Sequence, residues 1–171
     1  VQIMVGLPSD TSEKCIQTTK ILADLNPDIA RIYPALVIKD TYMEVLYREG
    51  RFKPLSLEKT VEICKEMSVI LEKKGIEVIR IGLQPTENIE LGKDIVAGPF
   101  HPSMRQLVDS SIYLDILKCL IARFEKTEKI DIIINPKDVS NIIGQNKCNA
   151  KVLKEVYYVN KINIIQESRV P

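Results

Sequence analysis

The order in which apolar runs and helical repeats follow one another limits the folds open to this chain more than any single residue does. Val1-Gln2-Ile3-Met4-Val5 is an apolar run of strand length. A turn from Gly6 to Thr11 leads into Cys15, Thr18, Leu22 and Leu25 at helical spacing, and Asn26-Pro27-Asp28 stops that helix. Asp10, with Glu13 three residues later, predicts a capping box at its start. Ile29 to Tyr33 is the next strand, closed by Pro34. A short helix runs from Thr41 as N-cap to Gly50, with Glu44 closing its box. Ser56 opens a long helix with Leu57, Val61, Cys64, Ser68 and Leu71 as its expected buried stripe and Gly75 as its stop. Ile76 to Leu83 is a third strand. Strand, helix, strand, helix, strand at this spacing predicts parallel βαβ units and an α/β fold. Ligands of such folds gather at the carboxyl ends of the strands, here Gly6-Leu7-Pro8, Tyr33-Pro34 and Gly82-Leu83-Gln84-Pro85.

Beyond these units the pattern changes. Thr86 to Pro99 is a long connection, a length that is often functional. A long helix follows from about Pro102 to Lys126, its expected apolar face made by Met104, Leu107, Val108, Leu117, Leu120, Ile121 and Phe124. Ile130 to Asn135 is a strand, Lys137 to Ile143 a short helix, Gly144 to Lys147 a loop, Asn149 to Tyr157 a helix and Ile162 to Ile165 a last strand. From Lys126 to Lys161 the lysines (126, 129, 137, 147, 151, 154, 161) outnumber Glu128, Asp131, Asp138 and Glu155. The expected division is therefore 1–126 and a small, mildly basic βααβ subdomain at 127–171.

Composition narrows the function. With 171 residues, 45% of them hydrophobic, the chain is about one domain long and can build a core, which excludes disorder. Lys plus Arg is 24 against 23 acids, so no global field draws it to nucleic acid or lipid. No apolar run approaches the ~18 residues of a membrane span, and no leader is visible, so no membrane association and a cytoplasmic location are expected. Cys15, Cys64, Cys119 and Cys148 have none of the close spacings of zinc or iron–sulfur motifs. Those in helical patterns are expected as small buried hydrophobes. The single histidine, His101, leaves no His cluster and is expected to cap or pack. A chain that starts inside a strand is expected to be a piece of something longer.

Several stretches carry a resemblance. Gly6-Leu7-Pro8-Ser9-Asp10-Thr11 is similar to the G-L-P-G-D-T strand-to-helix turn of radical S-adenosylmethionine (SAM) enzymes. Arg31-Ile32-Tyr33-Pro34-Ala35-Leu36-Val37-Ile38-Lys39-Asp40-Thr41 resembles their I-Y-P-T-L-V-I-K-G-T segment. With Tyr47 to Leu55, Ile79 to Pro85 and Gly98 to Leu107, it resembles the bacterial radical SAM proteins related to the Elongator catalytic subunit. The resemblance covers roughly residues 1 to 110. It implies the C-terminal part of an incomplete (β/α) barrel. It also implies a full-length protein with a [4Fe–4S] cluster, held by a C-x₃-C-x₂-C-like motif, and SAM cleaved to a 5′-deoxyadenosyl radical. That cysteine motif is absent here, so it is expected upstream, and this chain by itself is expected to be inactive. Ser9, Ala35 and Asp40 depart from the pattern, standing where the relatives have Gly, Thr and Gly.

The resemblance implies cofactor contacts at Gly6, Leu7, Pro8 and Tyr33, and substrate or carboxylate contacts at Lys39, Arg80 and Arg105. Against these stand plainer roles in turn shaping, core packing and surface ion pairing. Val139 to Leu153 is similar to the I-I-G-x-x-G-x-N-I-x-x-L core of RNA-binding KH modules, with Lys147 in place of the second glycine. That degenerate KH-like loop implies nucleic-acid contacts at Gly144, Lys147 and Lys151. A plain structural cap is the other reading. The expected function is a radical SAM fragment from a protein that modifies a nucleobase, in tRNA. Two alternatives are an RNA- or partner-binding module without catalysis and a coproporphyrinogen-oxidase-like enzyme, which shares the G-L-P turn. The expected partners are the N-terminal half of the same protein, tRNA, and a second copy joined through an exposed barrel edge.

Overall fold

The computed structural model describes residues 1–84, 92–124 and 128–170. Side chains alternate along β1 (Gln2–Val5): Ile3 and Val5 are buried, Gln2 and Met4 exposed. α1 (Ser12–Asp24) crosses to β2 (Ile29–Pro34), where Ala30, Ile32 and Pro34 are buried and Arg31 and Tyr33 alternate with them. Then come β3 (Val37–Ile38), α2 (Tyr42–Arg48), α3 (Leu57–Lys73) and β4 (Glu77–Ile81). β1, β2 and β4 form a parallel sheet in the order β1-β2-β4, with α1 and α3 packed on each other and against it. The βαβ units expected from the sequence are present. In β4 the expected alternation breaks, because the pairing steps from Ala30–Val78 to Arg31–Arg80. Ile79 is the extra residue, so Ile79 and Arg80 are both exposed while Val78 and Ile81 are buried.

The buried face of α1 differs in phase from its predicted stripe, whereas α3 keeps Cys64, Ser68 and Leu71 of its own stripe buried and replaces Leu57 and Val61. α1 buries Cys15, Thr19 and Ala23, whereas Leu25 is 70% exposed. Small residues on that face let α1 approach α3 closely, and the larger apolar side chains point outward. α3 buries Thr60, Ile63, Cys64, Met67, Ser68 and Leu71. The N-caps of α2 and α3 are Thr41 and Ser56 as expected. α1 is capped by Thr11, whose Oγ1 accepts from Lys14 N, and not by Asp10. β5 (Ile95–Ala97) pairs antiparallel with β3, Val37 opposite Ala97. Of the long connection expected at 86–99, residues 86–91 lie outside the described residues.

The chain divides into two compact units, Val1–Arg105 and Gln106–Pro171. α4 (Met104–Ile121) begins at that division. β6 (Lys129–Ile134), α5 (Val139–Ile143), α6 (Cys148–Tyr157) and β7 (Lys161–Gln166) complete the second unit. Its core is Leu117, Ile121, Ile134, Ile142, Leu153 and Val159. Leu120 and Phe124, expected on the apolar face of α4, are exposed, as is Cys119. β6 and β7 pair in parallel, Lys129 opposite Lys161 through Ile134 opposite Gln166. The buried Asn149 ties three helices together: its amide donates to Ser110 O at 2.8 Å and Asn141 O at 3.1 Å.

Candidate functional site

Helices cover one face of the β1-β2-β4 sheet; the residues that alternate to the other face are Gln2, Met4, Ile29, Arg31, Tyr33, Glu77 and Arg80, with Ile79 beside them. Register sets Tyr33 opposite Met4 and Arg31 opposite Arg80. Cross-strand partners in register share a face, so Arg31 and Arg80 occupy neighbouring positions on adjacent strands. Neither Arg31 nor Arg80 has an ion-pair partner among the described residues. Two like charges on adjacent strands repel unless an anion lies between them. Arg31 escaped the sequence reading, although its place two residues before Tyr33 in an alternating strand was the available signal.

The two ends of the sheet's carboxyl edge differ. Beyond β2 and β4, Pro34, Leu36, Gly82, Leu83, Pro99, Phe100, His101 and Met104 close around a cavity of about 10 Å³, room for one water. His101 accepts from Ser103 N through Nδ1 at 3.1 Å, the capping role expected of it. Beside β1 an open groove of about 440 Å³ is lined by Gln2, Met4, Leu7, Pro8, Lys14, Thr18 and Leu22, among others.

Gly6, Leu7 and Pro8 belong to a turn organised by Asp10. Its Oδ2 accepts from Gly6 N at 3.1 Å and from the Cys15 thiol at 3.0 Å, and its Oδ1 accepts from Thr11 N. Asp10 N in turn donates to Leu7 O at 2.9 Å. That use of Asp10 is why Thr11 takes the cap. Gly6 is left-handed (φ 80°), and a Cβ there would lie 2.8 Å from Leu55 Cδ1, so the close approach at Gly6 is made by the chain's own leucine. Ser9 and Asp40 are left-handed too, at φ 66° and 60°.

Lys39 is exposed after β3, its N–H donating to Asp94 O. Arg105 is half-buried and donates from Nη1 to Val78 O in β4. In the second unit, Gly144 is buried, and Lys147 and Lys151 are exposed at the start of α6. Lys147 N donates to Gly144 O at 3.0 Å.

Cluster ligation needs thiolates. Burial, with the Asp10 contact next, pushes the Cys15 thiol up to about 11. Burial pushes Cys64 up to about 12. Both are protonated at neutral pH. Among the described residues no group of three or more His, Cys, Asp or Glu side chains is placed to hold a metal ion. Cys15 and Cys64 are buried, Cys119 and Cys148 are exposed, and the described residues bring no such set together, so they do not fit an iron–sulfur cluster.

The radical SAM C-terminal domain matches residues 27–113, just over half of the chain. The chain belongs to the radical SAM family. The match starts before β2 and ends in α4, so it includes Tyr33, Arg31 and Arg80. An uncharacterized protein of Methanocaldococcus jannaschii is 34% identical over 53 residues, 31% of this chain and 16% of that protein. The tRNA uridine(34) acetyltransferases of Methanocaldococcus infernus and M. jannaschii are each 31% identical over 74 residues, 42% of this chain and 14% of theirs. The matched stretch is thus a small fraction of these relatives' length. The radical SAM membership expected from the Gly6 turn and the Tyr33-Pro34 segment is borne out. Among the described residues no helix is long and apolar enough to cross a membrane.

Proposed function

We propose that this chain is the carboxyl-side part of an incomplete radical SAM barrel, in an enzyme that modifies a nucleobase of tRNA, and that it forms one wall of the substrate chamber. The observation that carries this reading is the open sheet face with Arg31 and Arg80 at neighbouring positions on adjacent strands. A sheet buried on its helix side and charged on the other is suited to enclosing an anionic substrate. The relatives named as tRNA-modifying enzymes support the substrate class. The rest of the protein holds the cluster and SAM. Gly6, Leu7, Pro8 and Tyr33 border the cofactor side, and Lys39, Arg80 and Arg105 the substrate side. The free edge of β1, with its groove, receives the preceding strand of the same protein; a second copy on that edge is the competing arrangement. The loop at Gly144 and Lys147, with Lys151, contacts the RNA backbone.

In the full-length protein, Arg31→Gln with Arg80→Gln is expected to lower formation of modified tRNA about tenfold or more, the loss expected when charge-assisted hydrogen bonds to an anion are removed. Cleavage of SAM without tRNA is expected to persist. Unchanged product formation would rule out the charged wall.

A further inference from the structure

We propose that the exposed side of α6 is a strip for single-stranded RNA, on which Tyr158 stacks an unpaired base while Lys147, Lys151 and Lys154 follow the phosphates. The strip extends, and rests on, the RNA reading of the Gly144 loop. Lys151 and Lys154 are exposed three residues apart on α6; Lys147 stands immediately before the helix and Tyr158 immediately after it. Lys151 and Lys154, three residues apart, share one face of α6, and Lys147 and Tyr158 flank its two ends. The three lysines have no carboxylate partner among the described residues, and Glu155 is the lone acid within α6. In a chain of net charge +1, this is a local concentration of positive charge.

Tyr158 supplies the second half of the pattern. It is 78% exposed and left-handed (φ 57°), a position where glycine is the usual choice. Its N–H and that of Val159 both turn back to Leu153 O, and Val159 drops into the core with Leu153. The turn therefore holds an aromatic ring outside the core at a site where the fold needs no side chain. Val156, 60% exposed, adds an apolar neighbour in sequence. Exposed aromatics alongside mobile ammonium groups bind unpaired strands with little sequence preference, because every base has a flat face. A duplex offers no free base to Tyr158, so the occupant is an unpaired segment.

The test uses the whole chain with a fluorescent single-stranded RNA oligonucleotide and with tRNA, titrated at several salt concentrations. Tyr158→Gly suits the left-handed backbone, so the fold persists, as circular dichroism would confirm. It is expected to weaken oligonucleotide binding about tenfold or more with the salt slope unchanged. Tyr158→Phe is expected to bind like the parent. Lys154→Gln is expected to flatten the salt slope by about 0.7. If Tyr158→Gly binds normally while Lys147→Glu with Lys151→Glu abolishes binding, the stacking strip is overturned and the loop reading survives. If the parent binds neither RNA, both fail. If poly-glutamate displaces RNA and Tyr158→Gly has no effect, the face serves an acidic protein partner and the proposal is wrong.

Discussion

Gly144 shows how tightly one position can be specified. Its φ is 75°, and an added Cβ would lie 2.5 Å from Cys148 Sγ and 3.0 Å from Asn149 N. Gly50 has a similar φ of 71° but nothing within 4 Å. The two glycines share a positive φ but differ in space, and Gly144, at ψ 158°, also lies in a region that is essentially glycine's alone, so a pair of alanine substitutions compares an open position with a crowded and more restricted one. Gly50→Ala is expected to cost about 1 kcal/mol, the price of a left-handed alanine. Gly144→Ala is expected to cost more, because backbone or Cys148 must also move. Urea unfolding of both variants checks this, and equal losses would show that the crowding is relieved without strain. Gly144 was legible in the sequence because glycine before a helix has few other uses. Arg31 and Tyr158 were not singled out. Arg31 lies in an apolar strand where attention goes to its buried neighbours, and propensity places an aromatic such as Tyr158 in a core.

At the start of α2 the side chains make a closed circuit. Thr41 Oγ1 accepts from Glu44 N, Glu44 Oε2 accepts from Asp40 N at 2.7 Å, and Arg48 donates to Glu44 Oε1 through Nε and Nη2 at 2.8 and 2.6 Å. The Arg48 hydrogen bonds, then that from Asp40 N, hold the Glu44 carboxyl below its usual range. A lowered folded pKa stabilises above the unfolded value, and the contribution disappears as pH falls through the folded one. Glu44→Gln is therefore expected to lower the melting temperature at pH 7. The deficit should shrink as pH drops below the ordinary glutamate value of about 4.3 and vanish in stronger acid. Melts of both proteins across that range check it; a deficit constant with pH would assign the effect to packing instead. Caps of this kind were legible for α2 and α3 because they depend on residues three apart. At α1 the same logic chose Asp10, which the Gly6 turn recruits, so a neighbouring loop overrode a local rule. Helix phase at α1 failed for a related reason. Which face of α1 is buried depends on the small residues that let α3 approach, and apolar periodicity alone placed Leu25 inside. β3 and β5, two and three residues long, are too short for any period to show.

Across the whole chain, the parallel βαβ order was legible because each strand and helix carries its own period, and the radical SAM resemblance added what periodicity lacks. The paired arginines depend on a bulge at Ile79 that no local pattern announces. Since the described residues offer no cluster site, the isolated 171-residue chain is expected to release no 5′-deoxyadenosine from SAM after iron–sulfur reconstitution. Catalytic release would overturn the assignment of the cluster to the rest of the protein. The parallel pairing of β6 with β7 has a consequence for how the chain is made. Asp131 and its partner Asn163 are 32 residues apart, and a parallel pair cannot close as a hairpin. At ribosomal speeds of about 5–20 residues per second, β6 waits roughly 2–6 s for its partner to be synthesised. Through that interval Ile132-Ile133-Ile134 lacks its strand partner, and Lys129 and Asp131 are the nearest upstream charges that guard it against mispairing.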